Sequence, residues 1–473
     1  MFNEDRYKRL MTGLECSEVN FRKLNSEFRI DSEYFLKQYI EDDLKISKLK
    51  NIVLGNFAFI TDGQHGYHEL DENSPIHMLT AKNTKNWFAD IDGADTISKW
   101  VDDNNKRSAL QTKDIIMSTR GTIGCCAMVF EDVLPANIDQ DVARINVTKD
   151  FIHPEFLLIY LNTKFAKGWM QRNKTGMVQQ GLSLEKVRQI PIPILSEIFQ
   201  DHIQQILSDG HNAFVHSQRI YKEAEQILLS ELSLDNFNPS TQNTSIKNFS
   251  AVMNNGRLDA EYYQREYDDI EEKITTMKNI SAYDLLAENN QMYTPLQNEK
   301  YTYIELADIE NQGNIKDDCL IAYGSELPSR ARRQVATNDV IISSLEGSLG
   351  SCALIPKKYD RAICSTGFYV LRSFDINPET LLLLFKSKPI QMLMQRGCNG
   401  TILTAISLEE LKKVPIPIPS ESVQKQIAEK IQQSFELREQ SKSLLKSATK
   451  AVEIAIEKDE SAAMLYLQKC LDR

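Results

Sequence analysis

The apolar positions of this chain fall into two long stripes of helical spacing, set among short apolar runs without such spacing. Between 196 and 233, Phe199, Ile203, Ile206, Gly210, Ala213, Ser217, Ile220, Ala224 and Ile227 step alternately by four and three. Between 420 and 457, Val423, Ile427, Ile431, Phe435, Leu445, Ala448, Val452 and Ala455 form a similar stripe, less regular over Leu437 to Ser441. A heptad seam requires a partner helix. Two in one chain most simply pack on each other, and because a globular segment returns the chain between them, the pattern predicts an antiparallel pair. Small residues at Ala213, Ser217, Ala224, Ala448 and Ala455 permit close approach. The alternative is a pair of ordinary core helices in separate domains, against which a length of about 35 residues counts, the usual helix having about a dozen.

Each stripe follows the same joint. Ser183-Leu-Glu-Lys-Val-Arg-Gln-Ile-Pro-Ile-Pro-Ile194 returns 224 positions on as Ser407-Leu-Glu-Glu-Leu-Lys-Lys-Val-Pro-Ile-Pro-Ile418. Each serine can cap a short helix, and Glu410 stands where it would complete a capping box with Ser407. Proline lacks an amide hydrogen and drives its predecessor extended, so the paired prolines predict a stiff extended segment. Four more markers recur in the same order: Arg29-x-Asp-x-Glu-Tyr34 with Arg257-x-Asp-x-Glu-Tyr262, Asp114 to Gly124 with Asp339 to Gly350, Ile152-His-Pro-Glu155 with Ile376-Asn-Pro-Glu379, and Met170-Gln-Arg172 with Met394-Gln-Arg396. Offsets of 224 to 228 held in one order mean an internal duplication of domain-sized units. Within each unit Asp114-Ile-Ile-Met-Ser118 and Asp339-Val-Ile-Ile-Ser343 predict buried strands. The glycine pairs 121/124 and 347/350 predict tight turns into a following strand. Pro154 and Pro378 predict helix starts.

The expected organisation is a helix and tether over 1–28, a globular domain over 29–195, a long helix over 196–235, a linker over 236–256, a second globular domain over 257–419, a second long helix over 420–460 and a tail over 461–473. The fold class is α+β: two duplicated mixed α/β domains joined by two long helices in an antiparallel coiled coil.

Composition narrows the function. Hydrophobic residues are 42% and charged residues 26% of the 473, ordinary for a globular protein. No apolar run approaches the ~20 residues of a membrane helix, and the polar N-terminus carries no secretory signal. The eight cysteines show no Cys-x-x-Cys pair and read as reduced core thiols of a cytoplasmic protein. A formal charge of −11 argues against a generic nucleic-acid coat, although a site-specific binder needs only a local basic surface.

Catalytic motifs are missing. No Asn-Pro-Pro-aromatic or Asp-Pro-Pro-aromatic sequence, Gly-x-Gly-x-x-Gly or phosphate-binding loop occurs. His65 and His68 with Asp62 and Glu69 lie in a glycine loop without metal-ligand spacing, and Glu271-Glu-Lys273 reads as a solvated helix face.

The Asp62-Gly-Gln-His65 loop, the Asp114 to Gly124 strand and turn, the Leu-Ser-Leu-x-x-(Val/Leu)-x-x-(Ile/Val)-Pro-Ile-Pro joint and the helix containing Gln424-Lys-Gln-Ile427 together resemble a type I restriction-modification specificity subunit, over about residues 28 to 460. The resemblance implies two target recognition domains, each reading half of a split sequence in double-stranded DNA and held apart by the helices. It implies two methyltransferase (modification) subunits docked on the helices, which carry S-adenosylmethionine, so that this chain has no cofactor, no metal and no catalysis of its own. A restriction or translocase subunit is a further partner that the resemblance admits. The second unit departs from the first: Asn298-Glu-Lys-Tyr301 replaces the Asp-Gly-x-His loop, Leu345-Glu346 stand where the first turn has Arg120, and Leu195 is Pro419. Ile198-Phe-Gln-Asp201 also departs from the start of the second helix. The two units are therefore expected to read different half-sites.

Phosphate contacts need Lys, Arg and backbone amides, while base edges take Arg for guanine and Asn or Gln for adenine. Candidates in the first unit are His65, Lys82, Asn83, Lys106, Arg107, Arg120, Lys174, Gln179 and Gln180; in the second, Arg330, Arg332, Arg333 and Asn399. The triple arginine, at the register of Lys106 and Arg107, is the densest basic cluster. Three readings stay open: a DNA-recognition subunit, of this or a related multi-subunit restriction system; a protein-interaction scaffold with duplicated domains; and an enzyme, such as a nuclease, whose motif is not visible.

Overall fold

The computed structural model describes residues 4–12, 19, 29–66, 69–85, 87–176, 180–235, 237–240, 244–287, 292–400 and 404–471. The chain forms two compact units: residues 1–213 with 440–473, and residues 214–439. Each holds one globular domain, the first half of the long helix that leaves it and the second half of the other.

In the first unit the β-branched run at 115–118 is a fully buried strand between Cys126–Met128 and Val142–Val147, and Ala58–Asp62 pairs on the far side of the latter, all antiparallel. A small sheet sets His77–Leu79 parallel to Ala136–Ile138. The second unit repeats the core strands as Cys352–Leu354, Val340–Ser343 and Phe368–Leu371. Its other sheet is larger, adding Leu320–Tyr323 and Ala331–Gln334 to the parallel pair Lys300–Ile304 and Ile363–Ser365. Both proline-started helices, Pro154–Leu161 and Pro378–Lys386, form, with residues 155–161 and 379–385 buried against the strands.

The five repeat markers turn out to be structural connections. Asp114, fully buried, accepts from Arg144 Nε (2.6 Å), Gln111 N (2.7 Å) and Asn146 Nδ2 (2.7 Å); Asp339 accepts from Ala336 N (2.8 Å) and Arg372 Nε (2.8 Å). Burial pushes the Asp339 carboxyl up, against the pull of the Ala336 amide and Arg372. A buried carboxylate is tolerable only with such a complete set of donors. The markers at 29–34 and 170–172 meet: Arg172 donates to Tyr34 O (2.6 Å) with its guanidinium over the Tyr34 ring, and Arg29 reaches Arg172 O (3.1 Å). Arg396, Tyr262 and Arg257 repeat the arrangement. Each joint is a short strand, Pro191–Pro193 or Pro415–Pro417, paired antiparallel with the strand that opens its domain, Ile52 opposite Ile192 and Ile280 opposite Ile416. Ser183 and Ser407 cap as expected, but the Glu410 side chain pairs with Lys413 (2.8 Å) rather than returning to Ser407.

The stripes are helices Glu197–Glu231 and Glu421–Glu457. Within the second unit they run antiparallel, with Glu231 accepting from Ser420 N (3.0 Å), Glu223 beside Lys430 (2.6 Å) and Ser434 Oγ donating to Ser217 O (2.8 Å). Within the first, Ser196 N donates to Glu460 (2.9 Å), and Gly210 faces Leu445 so closely that a Cβ would sit 3.5 Å from it. Glu231 and Glu460 thus cap the opposite helix starts, where a carboxylate is favoured by the helix dipole; the Ser420 hydrogen bonds hold Glu231 below the usual carboxylate range. Ile427 and Ile431 join Tyr221, Ala224 and Leu228 in one core with Leu381 to Phe385. The irregular stretch of the second stripe is a change of chemistry, not of geometry: Arg438 and Ser441 are buried on the seam face, as is Ser434 just before it.

Candidate nucleic-acid interface

In the first unit strand pairing decides which loops meet. Asp62 lies opposite Ala143 and Ser118 opposite Val142, so strands 58–62 and 115–118 end together where 142–147 begins. Three loops leave from that end. Gly63 N donates to Asp139 O (3.2 Å) and Thr119 N to Asp141 O (2.8 Å), and the arm around Thr175 and Gly181 follows, Leu182 N bonding Thr119 O (2.9 Å). Gly63 is obligatory, because a Cβ there would stand 1.7 Å from Ile138 O. Gly121 and Gly124 take φ of 69° and 82°, the left-handed region that glycine tolerates.

This end gathers most of the predicted residues. His65, 62% exposed, sits 2.9 Å from Asp62, whose other oxygen is 3.3 Å from Arg107; Arg120 pairs with Asp141 (3.0 Å) across the loops. Lys106 is exposed 3.8 Å from Asp103, Gln180 is exposed and Lys174 half-buried on the arm. Lys82 is exposed on the short turn after strand 77–79. Asn83 is placed differently: it is 1% exposed, its oxygen accepts from Thr80 N (2.9 Å) and its amide reaches Asp92 O (3.2 Å), so the side chain serves the fold. Gln179, like His68, lies outside the described residues. Reasoning from sequence missed Gln140, which accepts from Gly66 N (3.0 Å), and the acids beside it. Asp139, between two strands and half sealed, has its carboxyl pushed up to about 6 by burial.

The second unit has the same loop end with other side chains. Ser344 N donates to Gly367 O (2.8 Å) and Ile406 N to Ser344 O (2.9 Å), the counterparts of the Thr119 bonds. Leu345 bridges Ala405 where Arg120 bridges Gly181, and Asn399 pairs with Ala405 as Thr175 does with Gly181. Asn399 is exposed. The three arginines do not form one surface. Arg330 is 61% exposed beside Glu305 (3.0 Å) with its carbonyl bound by Thr366 N (2.9 Å), at this same end. Arg332 turns to Ser329 O (3.0 Å). Arg333, next to it at a register shift in the strand, donates to Phe368 O and lies 4.9 Å from the Tyr369 ring; burial holds its guanidinium below the usual arginine range.

Exposed ion pairs of this kind are worth about 0–1 kcal/mol, so the cations can exchange an aspartate for another acceptor at little cost. Arg presents paired donors that fit a guanine edge or a phosphate, and Asp accepts from cytosine. Mixed signs on one rim suit selective reading better than adhesion to any polyanion. Among the described residues no cluster of His, Cys, Asp and Glu could hold a metal, and no helix is long and apolar enough to cross a membrane.

A mixed α/β domain thus occurs twice in the chain, each copy with a polar loop rim and a long helix leaving it. The family model for the type I restriction modification DNA specificity domain matches residues 42–226 and again 268–447, and the chain belongs to that family. The type I restriction enzyme EcoBI specificity subunit of Escherichia coli is 27% identical over 158 residues, 33% of this chain, so the match spans 32% of that relative's length. Among solved structures the chain is similar to the S subunit of a type I restriction-modification system from M. genitalium, at 12% identity over 86% of this chain and 95% of that one with a TM-score of 0.41. It is similar also to the HsdS subunit of Thermoanaerobacter tengcongensis, at 12% identity over 87% and 97% with a TM-score of 0.29.

Proposed function

We propose that this chain is the DNA-recognition subunit of a type I restriction-modification system, a non-catalytic cytoplasmic protein whose two domains each read one half of a bipartite target. The observation that carries the reading is the loop rim at one end of each domain's sheet: the backbone bonds around Thr119 and Ser344 are the same in both, while Arg120 is matched by Leu345. Membership of the DNA specificity domain family supports it. On this reading the long helices dock two methyltransferase subunits, which bring S-adenosylmethionine and the chemistry, with a restriction subunit as a further partner. This chain contributes position. Arg107, Arg120 and Arg330 place donors at base edges or phosphates, and Lys82, Lys106 and Lys174 supply charge.

The test is methylation of plasmid DNA by the assembled complex, with modified sites mapped by sequencing. Arg107→Ala with Arg120→Ala should relax one half-site and leave the other unchanged, and Arg330→Ala the reverse. Methylation of a single undivided site, or by this chain alone, overturns the reading.

A further inference from the structure

Two of the contacts between each recognition domain and its own outgoing helix recur at matching levels in both units. The first attachment is at the helix start. Gln200 accepts from His153 N (2.9 Å) and donates to Phe151 O and Leu195 O (both 3.1 Å); Gln424 accepts from Asn377 N (2.8 Å) and donates to Asp375 O (2.9 Å) and Pro419 O (3.0 Å). The second lies farther along, at a loop the two domains share. Met128 N donates to Trp87 O (2.8 Å) in one and Leu354 N to Gly313 O (3.2 Å) in the other, and Trp87 and Gly313 both have positive φ, 67° and 90°. In the first unit Phe88, beside Trp87, stands edge-on to the His211 ring at 4.9 Å, and Phe130 stacks flat on it, 3.4 Å between centroids. In the second, Arg438 donates to Gln312, beside Gly313, with its Nε 3.4 Å from Glu310 and its guanidinium over Phe214. His211 follows Glu197 and Arg438 follows Glu421 by four to five helical turns.

Nearer the helix start the domain is also held by Gln204 on Glu155 (3.4 Å), by Gln432 on Glu379 (2.6 Å) and by the core shared with Ile427 and Ile431, so the contact at His211 or Arg438 acts on tilt through the longest arm. His211 lies about 20 Å along its helix at ~1.5 Å per residue, and a tilt of about 10° over that arm moves its end by roughly 3.5 Å, one base-pair step. The second contact therefore has the leverage to fix the domain at base-pair precision. The two copies do it with unrelated chemistry, aromatic stacking in one and a buried cation in the other, as expected of a position the architecture demands rather than a residue inherited unchanged.

We infer that His211 and Arg438 are positioning residues that hold each recognition domain at a fixed tilt on its own helix and so set how strictly the spacer between half-sites is measured. This rests on the two-half-site reading. The test uses the full chain assembled with its methyltransferase subunits on three duplexes carrying the same half-sites, with the cognate spacer and with one base pair more or less. Wild type should methylate only the first. His211→Ala, Arg438→Ala and Gln312→Ala should each raise the ratio of off-spacer to cognate methylation roughly ten-fold, with half-site preferences unchanged. Gln312→Ala leaves the helix seam intact, so it carries the expectation even where the Arg438 variant fails to fold. A merely structural role would lower all three rates together. Unchanged ratios in variants of a wild type that does discriminate spacers overturn this inference alone, whereas a wild type that methylates no bipartite duplex overturns the functional reading and this inference with it.

Discussion

The two units share most of the connections that build them and, among the described residues, few of the side chains on their rims. Arg172 with Tyr34 and Arg396 with Tyr262, Gln200 and Gln424, and the two proline joints repeat atom for atom in their roles. The rims diverge: one balances His65, Arg107 and Arg120 against Asp62 and Asp141, while the other sets Arg330 beside Glu305 and places Leu345 where Arg120 stood. A duplicated chain carries its own control. What both copies keep is what folding needs, and what they do not keep has been free to answer to something outside the fold. Asn83 and Arg333 sharpen the lesson, being polar yet committed inward.

The comparison breaks most visibly at the buried acids. Arg144 is 7% exposed and Arg372 46%. Arg144→Met strands Asp114 and should cost about 3–5 kcal/mol. Arg372→Met should cost only about 1–2 kcal/mol, because solvent replaces a half-exposed partner. Urea unfolding of the two variants measures the gap, and equal losses would show the pairs to be equivalent. Next come the glutamines: Gln200→Ala and Gln424→Ala should each cost about 1–3 kcal/mol and match one another, since each strands a buried backbone amide and two carbonyls. Unequal costs would mean that the attachments are not copies.

Smaller in stability but sharper for function, Arg120→Ala should lower the logarithmic salt slope of DNA binding by about 0.9 if it meets a phosphate, and change stability by less than about 0.5 kcal/mol. Arg333→Ala should do the opposite, losing stability at an unchanged slope. The smallest effect is on pH. Burial holds the His211 imidazole below its ordinary value of 6.5, against a weak upward pull from Asp132. The neutral ring is therefore the folded form. Its contribution is whole above pH 6.5 and is lost as pH falls toward the lowered folded value. Melting between pH 7 and 5 should decline less in His211→Phe than in wild type, and parallel declines would remove His211 from the account.

Much of this is legible in the sequence. Prolines, glycine pairs and β-branched runs act on their own backbone, so the joints, turns and buried strands at 115–118 and 340–343 could be read locally. The seams could be read from their period. Long-range polar contacts could not: Gln200 closes a loop near residue 151 and looks like any surface glutamine, although its exact repetition at 424 was a usable clue. The start of the first helix departs from that of the second around a residue that does the same work. Nor does polarity tell direction. Asn83 and Arg333 resemble rim residues until the contacts that hold them are known, and Arg438 and Ser441 looked like a gap in a seam that they in fact fill.

The joint has one more consequence. Because the strand that opens each domain lies against the strand that closes it, Asn51 opposite Pro193 and Asn279 opposite Pro417, the chain leaves and rejoins its path at nearly one point. About 140 residues hang from that point as a pendant loop, a geometry in which whole segments are replaced without lengthening or bending the path they hang from. The pendant has the geometry of a cassette, with the repeated Pro-Ile-Pro marking the same exit strand in both copies.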